Sequence, residues 1–363
     1  MEGLGTFTYE LVSRFVKNHP EHSFYLLAER NKTGRLIEAP NVVYVNRGLP
    51  ARHPILFYNW FERDVPAMLK QVEADVFFSP EGYLSLRSPV PQVCTLHDLN
   101  FEAFPEFFDW ANRWYYRHFF PKYARKARRI ITVSEFSRQD IVQRYAVPIE
   151  KIDLVYNGIS SDFHSVKDPT NSYPAMQWIG KDPYFIFIGG IYPRKNLLRV
   201  LQAFEQFKRN VPGMHRLLLV GNTYRESREI LEYHSTMDFK ESVVFTGRIE
   251  DRPLVTSLLQ HALALVYVSL YEGFGLPIAE AMRCGCPVLT SSVTSMPEIA
   301  GGAALLVDPT DVKQISSAMN TLATDENMRL KLAQQGEKRA KLFSWDEAER
   351  VVWNSLMVAS QAK

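Results

Sequence analysis

The residues best suited to chemistry lie in YEGFGLPIAEAMRCGCPVLT, residues 271–290, where Glu272 and Glu280 flank a Gly-Phe-Gly-Leu-Pro loop. Two carboxylates at this spacing could ligate a metal, move a proton or grip a polyhydroxyl ligand. Pro277 suits a first helical turn, because its missing N–H would have had no partner there. The amides of Gly273, Phe274, Gly275 and Leu276 then lie at a helix N-terminus, where free donors and the dipole attract a phosphate. Gly273 and Gly275 permit close backbone approach or positive φ. Carboxylates beside a phosphate would repel it, so Glu272 and Glu280 are expected to face something neutral. Vicinal hydroxyls fit, since an ionised carboxylate accepts two hydrogen bonds at once. A ligand carrying sugar, phosphate and ribose offers both surfaces. The plain alternative is a strand-to-helix turn with an acidic residue in its first turn.

A second cluster stands in FIGGIYPRKNLLRVLQAF (187–204), where Arg194 and Lys195 sit at the positive end of a helix dipole. That placement is unfavourable by roughly a few tenths of a kcal/mol, unless a diphosphate arrives between the cations. Solvated charges without a role are the alternative. In VCTLHDLNFEAFPEF (93–107), His97 and Asp98 follow a strand, at the edge where open sheets bind ligands. His97 suits a base, a hydrogen-bond donor or a turn histidine, and Asp98 suits a turn cap. The stretch 113–129 carries seven Lys and Arg and no acid, with aromatics among them. It reads as a covering helix with a solvated face, or as a contact for an anionic membrane surface or an acidic acceptor. GLGTFT (3–8), with Glu29 ending the next strand, imitates a dinucleotide fingerprint whose third glycine is Thr8.

These residues need a scaffold, and the chain supplies alternating apolar runs and amphipathic stretches. Candidate strands are SFYLLA, NVVYV, DVFFS, PQVCTL, RIITV and IDLVY, then YFIFIG, RLLLV, SVVFTG, LALVYVS, CPVLT and ALLV. Continuously apolar runs separated by helices, such as 197–208 and 225–236, indicate parallel sheets covered on both faces. The expected division is a first Rossmann-like domain over 1–163, a polar linker over 164–182 and a second over 183–344. The closing helix from about 345 to 363 is expected to return to the first domain. The glycine loop at 3–8 opens a helix with no strand before it, so either the chain is truncated with Met1 an internal methionine, which is the expectation, or the first domain lacks its innermost strand.

At 363 residues, two domains are the default. A formal charge of +2 gives no case for nucleic acid. No apolar run reaches membrane-span length, and no secretory leader is expected. Cys94, Cys284 and Cys286 read as small buried apolar residues of a reducing compartment, without partners at zinc spacing.

Taken in order, GLGTFTYEL, LHDL, ITVSEFSRQDI, VYNGI, IGGIYPRKN, VVFTGRI and VSLYEGFGLPIAEAMRCGCPVLT make the chain resemble glycosyltransferase family 4 over nearly its whole length. The resemblance implies an α/β GT-B fold, two doubly wound Rossmann-like domains facing each other across a cleft. It implies a retaining hexosyltransferase, similar to mannosyltransferase members, that uses a nucleoside-diphosphate sugar and a hydroxyl acceptor, lipid-linked or polysaccharide. In that reading Glu280 holds ribose and Glu272 the donor sugar. The Phe274–Leu276 amides and Gly273 meet sugar and diphosphate, and Arg194 and Lys195 neutralise the diphosphate. His97 lies against the transferred sugar and Arg248 beside the nucleobase. Gly3 to Thr6 approach the donor phosphate from the opposite wall of the cleft, and Gly3, Gly5 and Gly190 count among the donor-binding residues. Members often carry Arg where Gly190 stands and Gly-Asp where Gly301 and Gly302 stand. No Asp-x-Asp occurs, so neither a metal nor another cofactor is expected. The expected location is cytoplasmic, with peripheral membrane contact through 113–129. Two rivals remain: a nicotinamide-dependent oxidoreductase using GLGTFT and Glu29, and a non-catalytic partner subunit of the same fold.

Overall fold

A computed structural model describes residues 3–29, 37–48, 53–166 and 174–361. Met1, where truncation was expected, and residues 167–173 of the expected linker lie outside them. The apolar runs form twelve parallel strands among the described residues. The first six are β1 (Phe24–Glu29), β2 (Val42–Arg47), β3 (Phe77–Ser79), β4 (Gln92–Thr95), β5 (Arg129–Thr132) and β6 (Ile152–Leu154). The others are β7 (Tyr184–Ile188), β8 (Arg216–Val220), β9 (Val243–Gly247), β10 (Ala264–Tyr267), β11 (Val288–Ser291) and β12 (Leu305–Val307). The chain divides into one unit of Met1–Gly158 with Ser344–Lys363 and another of Ile159–Phe343.

The second unit holds one six-stranded sheet in the order β12-β11-β10-β7-β8-β9. Winding runs outward from β7 through β8 to β9, then returns to β10 and runs the other way. The direction therefore reverses between β7 and β10, which pair directly, Leu265 against Ile186. A ligand crevice opens at the carboxyl ends of strands where such a reversal occurs. Both flanking strands are fully buried apart from Ile188, as a sheet with helices on both faces requires.

The unit's first residues differ from a free linker. The Gln260 amide donates to the carbonyls of His164 and Val166, and Thr256 donates to that of Asp162. Ala175 and Ile179 are buried. Polar composition here reflects backbone groups satisfied by the Arg252–His261 helix, not solvation alone.

In the first unit β3-β4-β5-β6 form one sheet and β1-β2 another. Both pack on the helix Val65–Gln71, where Leu27, Val45 and Phe77 surround Val65, Met68 and Leu69. Gly3 and Gly5 do not form the expected loop. The helix already begins at Gly3 and runs to Asn18, so both glycines spend their backbone on a helical turn. The glycine loop of a dinucleotide fingerprint is thus not formed at Gly3–Thr8.

The Trp345–Gln361 helix lies within this unit. Arg14 Nε donates to Asp346 at 2.8 Å, His19 stacks on Trp353 at 3.6 Å and Ser355 donates to Asp153 at 2.6 Å. Gly158 passes so close beneath Trp345 that a Cβ would lie 2.3 Å from its ring.

Helix Trp110–Lys126 is capped by Asp109, whose carboxylate accepts from the Ala111 and Asn112 amides. Its Tyr115, Phe119, Phe120 and Tyr123 are core residues, whereas Trp110 and Trp114 remain 77% and 58% exposed. Arg129 leaves the basic stretch altogether, entering β5 and pairing with Asp153.

Candidate active site

The two loops leaving β7 and β10 carry the strongest constellation. After β7, Pro193–Lys195 make a single 3-10 turn and Asn196 takes a left-handed φ of 61° before the helix Leu197–Asn210. The Asn196 amide donates to the carbonyls of Val268 at 2.9 Å and Pro309 at 2.7 Å. The Leu270 N–H donates to the Arg194 carbonyl at 2.9 Å. These bonds join the cationic turn to the segment that carries Glu272.

Lys195 Nζ lies 2.6 Å from Glu272 Oε1, and Arg194 Nη1 lies 3.0 Å from Oε2. Arg194 also donates to the Tyr271 carbonyl at 2.5 Å. Lys195, Glu272 and Tyr267 are buried. Burial alone would push the Glu272 carboxyl up, but Arg194 and Lys195 outweigh it and hold it at about 2. The expectation that this carboxylate faces something neutral is therefore corrected. It faces both cations, and in doing so removes the local penalty of placing them ahead of a helix.

The rest of the loop is held from below. The single Ser295 hydroxyl proton is shared between the carbonyls of Glu272 at 2.9 Å and Phe274 at 3.1 Å. Gly275 caps the helix Leu276–Arg283 with φ 96°, and Pro277 stands in its first turn. A Cβ on Gly275 would lie 3.0 Å from Ile278 Cδ1. Gly273 does not take the positive φ its sequence permits. The Phe274 ring is buried edge-on against Phe343 at 5.5 Å, so only its backbone is placed for a ligand. Glu280 lies a turn into the helix and keeps part of its surface in solvent. Desolvation pushes its carboxyl up to about 7, with the attraction of Arg252 acting the other way.

At Gly190, where the resemblance allows an arginine, Tyr192 folds over the backbone. A Cβ would meet the Tyr192 hydroxyl at 2.4 Å, and Tyr192 stacks on Tyr224 at 4.6 Å. Arg248, just after β9, is exposed and 3.5 Å from Glu250.

His97 belongs to the first unit, at the carboxyl end of β4. Its Nε2 is 2.9 Å from the Pro80 carbonyl, which can only accept, so Nε2 carries the proton. Burial lowers its pKa to about 4, while the Pro80 bond acts upward. The ring is neutral at pH 7, a hydrogen-bonding group and a poor general base. Phe7 of the first helix meets it edge-on at 4.6 Å, two residues from Gly5. Asp98 accepts from the Asn100 amide at 3.0 Å, as a turn cap does.

The second unit thus gathers Arg194, Lys195, Glu272 and residues 273–276, with Glu280 on the following helix. His97, Gly3 and Gly5 belong to the first unit. Sequence reading passed over Tyr267, Asn196 and Ser295. A hydroxyl-bearing ring ending the aliphatic run LALVY, and the Ser/Thr-rich SSVTS after β11, were the available signals.

Comparison with known proteins adds independent findings. Residues 1–163 match the family described as Glycosyltransferase Family 4, and residues 173–339 match Glycosyl transferases group 1. O-antigen chain mannosyltransferase B of Escherichia coli is 32% identical over 283 residues, covering 77% of this chain and 73% of the relative. Sucrose-phosphate synthase from Thermosynechococcus elongatus shares the fold with a TM-score of 0.80 at 17% identity, covering 99% of this chain and 94% of its own. Anabaena HepE, solved with UDP and glucose, gives 0.76 at 17% identity over 98% and 96% of the two chains.

Proposed function

From the premise that this chain belongs to the group 1 glycosyl transferases, with a family 4 first half and a GT-B fold, we propose that it transfers mannose from a nucleoside-diphosphate sugar to a hydroxyl of a growing glycan. The anomeric configuration is retained and no metal takes part. The observation that carries this reading is the Arg194–Lys195–Glu272 cluster, with Lys195 and Glu272 buried, at the winding reversal of the second sheet.

The barrier to transfer lies in breaking the bond to a diphosphate leaving group. Fixed cations and backbone donors stabilise the charge developing there, without reorganisation at the moment of reaction. Arg194, Lys195 and the amides of residues 274–276 fill that role in the second unit. Glu272 keeps the cations oriented and offers its remaining acceptor capacity to the sugar. Glu280 takes the ribose hydroxyls, and Arg248 stands beside the base. The first unit binds the acceptor, with His97 as a neutral hydrogen-bond partner of the transferred sugar.

Among the described residues no helix is long and apolar enough to cross a membrane. Peripheral contact with an anionic membrane, suited to a lipid-linked acceptor, is assigned to the exposed face of the Trp110–Lys126 helix. Trp110 and Trp114 there stand among Arg113, Lys122 and Arg125. Tryptophan bodies and cations favour the interface of such a bilayer.

A thermal-shift panel of UDP-, GDP-, ADP- and dTDP-sugars tests the donor. A ligand at 100 times its Kd stabilises by about 2.7 kcal/mol, a visible melting shift. GDP-mannose turnover should survive EDTA, and the product anomer should match the donor. Inverted product, or no response to any member of the panel, defeats the reading. Cosedimentation with anionic but not neutral vesicles tests the membrane contact.

A further inference from the structure

The Arg194–Lys195–Glu272 cluster contains a fourth member that no motif points to. Tyr267 ends β10, buried, with its hydroxyl 2.5 Å from Lys195 Nζ and 3.0 Å from Glu272 Oε1. Chemistry fixes the direction of both bonds. An ammonium only donates and a carboxylate only accepts, so the Tyr267 oxygen accepts from Lys195 and its own proton points to Glu272. With the direct Lys195–Glu272 contact at 2.6 Å, the three groups close a ring of hydrogen bonds in which each bond has a single possible polarity.

We infer that Tyr267 is a positioning residue of the transfer reaction, its hydroxyl setting the direction of the Lys195 ammonium and the Glu272 carboxylate. This rests on the assignment of Lys195 to the diphosphate. An ammonium on a four-carbon stem is a mobile point charge, and against one carboxylate oxygen it would swing freely about that contact. A second, non-collinear acceptor removes the swing. Tyr267 supplies it from a buried ring stacked on Phe187 at 5.9 Å with 18° between planes. The Thr290 hydroxyl donates to the Tyr267 carbonyl at 2.7 Å, holding the strand end from the neighbouring strand.

Tyr267→Phe removes the hydroxyl and keeps the ring and its stacking on Phe187. A misdirected charge weakens leaving-group stabilisation more than ground-state binding. With GDP-mannose as donor probe, or UDP-glucose if the panel selects it, the variant should lose about tenfold in kcat while KM moves less than about twofold. In a Lys195→Ala background the same substitution should change kcat little, because the residue it acts through is gone. Calorimetric binding of GDP and UDP to each variant, with melting curves, shows whether the pocket itself persists. Unchanged kcat in Tyr267→Phe, or an equal loss in both backgrounds, overturns the positioning role while the site assignment stands. Full activity in Lys195→Ala removes the site assignment, and the role of Tyr267 with it.

Discussion

As sequence, the turn around Arg194 and Lys195 and the stretch from Arg113 to Arg129 read alike: cations interleaved with aromatics, without an acid between them. Folded, they are opposites. In the first, Lys195 is buried and both cations converge on one carboxylate that arrives from 77 positions downstream. In the second, most cations face water around a core-facing aromatic stripe, with local pairs such as Arg117 to Glu102 at 3.3 Å. The difference lies in dielectric. A charge in water interacts weakly with its neighbours, whereas one enclosed by protein must be compensated and then acts strongly on whatever enters. A cationic run becomes a site where the fold withdraws it from water and supplies its counter-charge.

Lys195→Ala strikes this contrast hardest. It should lower turnover at least tenfold, about 1.4 kcal/mol of barrier. It should also destabilise the protein by about 3 kcal/mol, since Glu272 stays buried with one cation fewer. A calorimetric melt alongside steady-state kinetics checks both, and an unaltered melt would place the cluster with the solvated helix.

Substituting Gly275→Ala should come next, at about 1–2 kcal/mol of stability. Its φ of 96° lies where a Cβ is strained, and Ile278 blocks the space. Urea titration measures it.

Proton linkage separates the two carboxylates of the motif. Glu272 titrates at about 2, below its ordinary 4.5. Its contribution to stability is complete above about pH 4.5 and disappears as pH falls towards 2. Glu280 is raised to about 7, so its contribution is complete below about pH 4.5 and is lost as pH rises through 7. Between pH 5 and 8 the wild-type Tm should therefore fall relative to that of Glu280→Gln. Parallel curves would mean that Glu280 is better solvated than its neighbours imply.

The smallest effect belongs to the exposed helix. Trp110→Ala with Trp114→Ala should leave stability within about 0.5 kcal/mol, yet abolish binding to anionic vesicles. Retained vesicle binding would move the membrane contact elsewhere.

The strand positions were legible because a parallel sheet covered on both faces needs short, continuously apolar runs, and twelve such runs form strands among the described residues. The helix start at Pro277 was equally readable, from a residue that suits a first turn. The Gly3–Thr8 stretch misled, because glycines mark permission for a turn and leave the backbone free to be helical. Glu272 was singled out on spacing, but its neighbours were misjudged. Local sequence shows which carboxylate precedes a loop and cannot show which cations meet it.

By itself, then, the sequence determined the class of fold, the order of its elements and the residue types available at each loop. Those follow from periodicity and turn chemistry, which act over a few neighbouring residues. Only the tertiary structure decided that β10 pairs with β7, bringing Glu272 onto Lys195 and Arg194 and placing the Tyr267 hydroxyl between charges. It also decided that His97 stays neutral and that Glu280 is raised where Glu272 is lowered. Charge state depends on burial and on partners distant in the chain, and those exist only after strands far apart in sequence have found one another.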